Sequence, residues 1–118
     1  MNNLYIQQRD IWIIDLDPVV GHEQAKKRPC LVLSPTHYNA TRSGLIVILP
    51  ITSTFRDTIS FVCIEPHQSG LPKRSYVITD QIRSVSKLQA SGKKAIGRLD
   101  ETLFNKIQHI VKMILDFA

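Results

Sequence analysis

The run Leu45-Ile46-Val47-Ile48-Leu49, set between Gly44 and Pro50, constrains the fold of this 118-residue chain more than any other stretch. It is too short for an ordinary helix and rich in branched side chains, so it predicts a strand at the centre of a sheet. Ile11-Trp12-Ile13-Ile14 is likewise continuous rather than alternating, which predicts a strand covered on both faces.

The remaining segments fit around these two. The first strand is expected over Asp10–Leu16, ended by Asp17-Pro18, and a second over Cys30–Leu33, with Pro29 at its start and Ser34-Pro35 as its stop. Thr36–Ser43 is polar and reads as a short helical turn or a loop. Ile59–Ile64 is a fourth strand, and Glu65–Ser75, with Pro66, Gly70 and Pro72, is a connection. Tyr76–Ile78 resumes strand character and runs into the alternating Asp80–Val85. Lys87–Gly92 is a turn and Lys94–Leu99 a last short strand.

At Asp100 the period changes. Asp100 can cap a helix and Glu101 suits its positive end, after which Leu103, Ile107, Ile110, Val111 and Ile114 recur at helical spacing. Phe104, Met113, Leu115 and Phe117 widen the apolar arc to roughly 200°, beyond the ~100° stripe that docks on one surface. The helix should therefore cover the sheet and also meet a second protomer. Short strands followed by one terminal helix predict a mostly β (α+β) chain, a small barrel in a single domain over residues 1–118.

Hydrophobic residues at 43% and charged residues at 21% are near the globular average, which excludes a disordered chain. The net charge of +5 favours an anionic partner, nucleic acid being the commonest. Cys30 and Cys63 both fall in expected strands and read as buried structural thiols. There is no CxxC motif or Cys/His cluster, so neither a metal nor another cofactor is expected. The N-terminus has no charged n-region or apolar h-region, and no apolar run approaches a membrane span, so a cytoplasmic protein without membrane contact is expected.

Between the first two strands lies Gly21-His22-Glu23-Gln24-Ala25-Lys26-Lys27-Arg28-Pro29, an imidazole, a carboxylate, an amide and three cations in one loop. Such a segment between strands is either a solvated hairpin loop or a place for binding and catalytic groups. RNA cleavage needs a base for the ribose 2′-proton, an acid for the leaving 5′-oxygen, and donors for the charge on the pentavalent phosphorus. Arg28 presents a guanidinium fork matched to phosphate, or pairs with Glu23 or Asp80. Thr52 offers a hydroxyl from a strand end, or satisfies a strand-end amide. Glu23, His22 and Asp80 are the available proton carriers, with His22 otherwise a solvated loop residue. Gln24, Lys26, Lys27, Arg56, Lys73, Gln81 and Arg83 are candidates for holding a nucleic acid chain, and Phe55 for stacking on a base, as are Tyr38 and Tyr76.

These blocks resemble the MazF/PemK family of bacterial toxin endoribonucleases. The resemblance is carried by Asp10-Ile11-Trp12, Asp15-Leu16-Asp17-Pro18, Gly21-His22-Glu23-Gln24 with Arg28-Pro29, Leu31-Val32-Leu33-Ser34, Pro50-Ile51-Thr52-Ser53, Gly70-Leu71 and Asp80-Gln81-Ile82-Arg83-Ser84. It implies an SH3-like barrel of the PemK/CcdB type, a homodimer, and metal-independent cleavage of single-stranded RNA to 2′,3′-cyclic phosphate and 5′-hydroxyl ends. It also implies a cognate antitoxin with an acidic tail. By resemblance, Arg28 is the central arginine, Thr52 its assistant, Glu23 and His22 loop residues of the site, and Asp80 the general base of the PemK branch. Two positions depart from the family pattern. An arginine two residues before the aspartate is replaced by Ile78, which favours Arg28 with Thr52 as the essential pair. A glycine before the first-strand aspartate is replaced by Arg9. The competing reading is a non-catalytic toxin resembling CcdB that binds DNA gyrase, or a decayed RNA-binding module.

Overall fold

The computed structural model describes residues 4–16 and 27–116. The loop residues His22, Glu23, Gln24 and Lys26, and Phe117 of the helix arc, lie outside them. Among the described residues, eight strands form one curled antiparallel sheet in the order β4-β5-β3-β2-β1-β7, with β6 against β3 and β8 against β1. The strands are β1 (Asp10–Asp15), β2 (Lys27–Val32), β3 (Leu45–Thr52), β4 (Phe61–Ile64), β5 (Ser75–Ile78), β6 (Arg83–Ser86), β7 (Ala90–Ser91) and β8 (Gly97–Arg98). Helices are α1 (Thr36–Asn39), α2 (Pro66–Ser69) and α3 (Glu101–Ile114). This is the expected small β-barrel architecture with a C-terminal helix.

The Leu45–Leu49 run forms the body of β3, and its centrality is visible in its partners. One edge pairs with β2. The other pairs first with β6, through Ile46↔Val85 and Ile48↔Arg83, and then with β5, through Ile51↔Val77 and Thr52↔Tyr76. The change of neighbour along a single strand curls the sheet.

Because side chains alternate across a strand, the continuous apolar runs feed two cores. Ile11, Leu31, Leu49 and Ile51 join Phe104, Ile107, Ile110 and Val111 of α3 on one face. Trp12, Ile14, Cys30, Val32, Ile46, Ile48 and Val85 fill the other. β1 is thus covered on both sides, as its sequence requires. At its start the buried Asp10 carboxylate accepts from the Gln7 amide (2.9 Å), Trp12 Nε1 (3.2 Å) and Arg98 Nη1 (3.1 Å), which ties β8 to β1. Helix α3 is capped by Asp100, whose carboxylate accepts from the Leu103 amide at 3.0 Å.

Several boundaries differ from the sequence reading. β2 starts at Lys27 rather than Cys30, so Arg28 and Pro29 lie within a strand, paired with Ile14 and Ile13. β4 starts at Phe61, and Ile59 is 78% exposed. The Tyr76–Val85 run is broken by a turn in which the Gln81 amide donates to the Ile78 carbonyl. The Glu65–Ser75 connection contains α2, closed by a reciprocal Glu65–Gln68 capping box with Pro66 in its first turn. Lys87–Gly92 holds a short 3-10 turn and β7, and only Gly97–Arg98 of the last expected strand is extended.

Two residues carry unexpected environments. Cys63 is exposed, because the four-residue strand β4 alternates and turns Val62 and Ile64 inward instead. Arg9 adopts φ 78°, in the left-handed region that favours glycine. Its strain is offset locally: its backbone bonds to Val32 and Leu99, and its Nε donates to the Leu99 carbonyl at 3.1 Å.

Candidate active site

The two core-forming strands β2 and β3 change character at one end. Cys30 pairs with Pro50. Two residues further along each strand, on the same face, stand Arg28 and Thr52, so the face that is apolar within the sheet ends in a guanidinium and a hydroxyl. Arg83 arrives on that face from β6, opposite Ile48. Its Nη2 donates to the Leu16 carbonyl at 2.8 Å, which fixes the fork. Both guanidiniums lie close enough to Cys30 to pull its thiol pKa down, yet burial dominates and pushes it up to about 12. Cys30 therefore stays a neutral packing group beneath the cations rather than a nucleophile.

Above this floor is a cleft of about 590 Å³. Its walls carry Arg28, Thr52, Arg56, Asp80, Gln81 and Arg83, so six of the residues singled out in the sequence meet in one depression. A second cleft of about 400 Å³ lies alongside and is lined by Lys73, Pro72, Leu71, Ser53 and Ser75. Arg28, Thr52 and Thr54 border both clefts and form the ridge between them. The Thr52 Oγ1 accepts from the Thr54 amide at 3.1 Å. That bond occupies the hydroxyl as an acceptor and leaves its proton free to donate.

The other singled-out residues fall as follows. Lys27 is exposed at the start of β2 and lines neither cleft. Phe55 also lines neither; it is 61% exposed and packs on Tyr76. Among the described residues no carboxylate lies within ion-pair distance of Arg28, so the alternative of an Arg28–Asp80 pair is not seen. Leu16 and Arg28 both line the first cleft, and His22 and Glu23 lie outside the described residues. Residues not anticipated are the hydroxyls Thr54, Thr58 and Ser60, with Leu16, Phe61 and Ile78 as apolar walls. The clustering of Thr and Ser over 52–60 was the available signal. Among the described residues no helix is long and apolar enough to cross a membrane, and no group of three His, Cys, Asp or Glu is placed to hold a metal.

The profile of a family described as PemK-like, MazF-like toxin of type II toxin–antitoxin systems matches residues 7–115. The chain belongs to this PemK/MazF family. Endoribonuclease PemK of Escherichia coli is 32% identical over 112 residues, covering 93% of this chain and 82% of the relative. Endoribonuclease EndoA of Bacillus subtilis is 27% identical, covering 95% and 96% of the two chains. A MazE–MazF crystal structure from Deinococcus radiodurans shares the PemK/MazF fold at a TM-score of 0.82 and 24% identity, over 98% of this chain and 100% of that one. A mycobacterial endoribonuclease in complex with its cognate antitoxin matches at a TM-score of 0.71 and 20% identity, over 94% and 93%.

Proposed function

We propose that this PemK/MazF chain is a toxin endoribonuclease that cuts single-stranded RNA, messenger RNA included, across the ridge formed by Arg28 and Thr52. The observation that carries the reading is the convergence of Arg28, Thr52, Asp80, Gln81, Arg83 and Arg56 on one cleft from separate strands and turns. The nucleophile is supplied by the substrate. A base removes the ribose 2′-proton, the 2′-oxygen attacks phosphorus, and the bond to the 5′-oxygen breaks as an acid protonates it, leaving a 2′,3′-cyclic phosphate and a 5′-hydroxyl.

Arg28 binds the non-bridging phosphate oxygens and neutralises the charge that accumulates on them, with the Thr52 hydroxyl as a second donor. Asp80, on the cleft wall, is the base. Glu23 and His22 are the remaining proton carriers, Gln24 and Lys26 contact RNA from the same loop, and Lys27 does so from the start of β2. Gln81, Arg83, Arg56 and Lys73 hold flanking phosphates and base edges. Cleavage of cellular RNA places the protein in the cytoplasm, and its net charge of +5 suits an antitoxin with an acidic segment. The names borne by its relatives favour this reading over gyrase binding.

The test is to incubate the pure protein with a long RNA in excess EDTA and map the ends. Cuts at one short motif with 5′-hydroxyl ends are expected. Intact RNA after incubation with well-folded protein, across varied sequences, would sink the enzymatic reading.

The chain also acts as a homodimer in this reading. Met113, Ile114 and Leu115, at the end of α3, are 52%, 44% and 51% exposed, an apolar strip beyond what docking on the sheet consumes. Sedimentation at micromolar concentration should give the mass of two chains, and a monomer there would contradict it.

A further inference from the structure

We propose that Phe55 and Tyr76 form a nucleobase-stacking platform beside the Arg28–Thr52 ridge, which takes a base flanking the phosphate to be cut. The proposal rests on the RNA reading of the cleft and adds to it a subsite outside both depressions.

The register places the platform. Thr52 of β3 pairs directly with Tyr76 of β5, and Tyr76 pairs in turn with Cys63 of β4. Directly opposed residues project from the same face with their Cβ atoms about 5 Å apart. The Tyr76 ring is therefore the immediate lateral neighbour of the Thr52 hydroxyl. Phe55 follows the turn in which the Thr54 amide donates to Thr52, and its ring packs on Tyr76 at a centroid separation of 5.4 Å and 58°. A single exposed aromatic is ordinary on a protein surface. Here two are paired next to the ridge, and Phe55 is still 61% exposed.

The charges around the platform indicate its occupant. Arg74 is consumed by Glu65, with Nε donating to both carboxylate oxygens (3.1 and 3.0 Å) and Nη2 at 2.8 Å. That pair holds the Glu65 carboxyl below its ordinary pKa. Lys73 is different: it is exposed, lines the second cleft, and has no ion-pair partner among the described residues. Arg28 and Lys73 thus offer positions for phosphates, and the aromatic pair beside Thr52 offers a surface for a base linked to them. A flat π-system linked to phosphates matches both halves of this arrangement. Every base has such a face, so the platform contributes affinity and alignment while tolerating sequence.

Binding of a fluorescent pool of short single-stranded 2′-O-methyl oligonucleotides, which lack the attacking hydroxyl, tests this by anisotropy. Phe55→Ala should weaken binding roughly 5- to 150-fold, the effect of losing one stacked base, with the slope of log affinity against log salt unchanged. Lys73→Ala should lower that slope by about 1. Phe55→Trp should restore affinity, and its indole emission should be quenched when the oligonucleotide saturates. On an abasic pool, Phe55→Ala should change nothing. Unaltered affinity of Phe55→Ala, or an equal loss on the abasic pool, overturns the platform. So does a Phe55→Ala variant that keeps its RNA affinity but loses an acidic antitoxin peptide, since the occupant is then a protein. Cleavage in EDTA is read separately: wild type that binds through Phe55 but cuts nothing keeps the platform and defeats the nuclease reading.

Discussion

Arg28→Ala is expected to lower the rate of RNA cleavage by about 10²–10³-fold or more, the range seen when one donor to a developing oxyanion is removed. Arg28 lies on β2, paired with Ile14 of the doubly covered strand β1, so its backbone is held by the core rather than by a loop. Its side chain borders both clefts and has no carboxylate partner among the described residues, which leaves the fork available to phosphate. The same absence predicts that folding is spared, because no buried partner is left behind. The circular dichroism spectrum and melting temperature should match wild type. Arg28→Lys should recover only part of the activity, because it restores the charge without the two-pronged geometry. A fully active Arg28→Ala variant would remove Arg28 from the chemistry.

The largest effect on stability is expected at Gly97. A Cβ at this position would overlap the carbonyl oxygen of Ser69, which is backbone at the end of α2 and cannot swing aside. The neighbourhood is also tied together, since the Asp100 amide donates to the Gln68 carbonyl at 2.8 Å. Gly97→Ala must push α2 away from β8 or distort the strand. It should cost about 3 kcal/mol, the upper end of over-packing, and lower the melting temperature by roughly 10 °C. Gly92→Ala is the control. Gly92 has φ 82° but nothing within 4 Å of an added Cβ, so only backbone strain of about 1–2 kcal/mol applies. Thermal melts of the two variants separate crowding from strain, and equal melting temperatures would contradict the packing argument.

The parts of the fold legible in the sequence were those with a strong local signal. Leu45–Leu49 and Ile11–Ile14 announced strands because continuous branched runs of that length have few other uses. Asp100 announced α3 because a cap followed by helical spacing is local chemistry. What escaped was set by neighbours. Ile59 carries a strand-like side chain but precedes β4 and stays in solvent. Cys63 looks buried by type, yet the alternation of β4 turns it outward. Helix α2 is too short for a period to show, and its Glu65–Gln68 box was hidden among prolines and glycine.

The site divides the same way. Arg28, Thr52 and Asp80 could be named as chemically apt, but their meeting depends on registers that no single segment encodes. The Phe55–Tyr76 pair was invisible as a pair, because it arises from a turn of β3 folding a ring back over the residue opposite Thr52. The family resemblance supplied the convergence that local pattern could not.

The ridge between the clefts has a consequence for turnover. In the proposed function, an RNA lying across Arg28 and Thr52 is a divalent ligand, one half in each depression, its two halves joined by the bond to be cut. While that bond is intact, seating one half raises the effective concentration of the other. Cutting it then turns one strongly held chain into two weakly held ones. Release is thereby coupled to the chemistry, and the fragments that accumulate in a cell full of cut RNA compete poorly with uncut strands for the same surface.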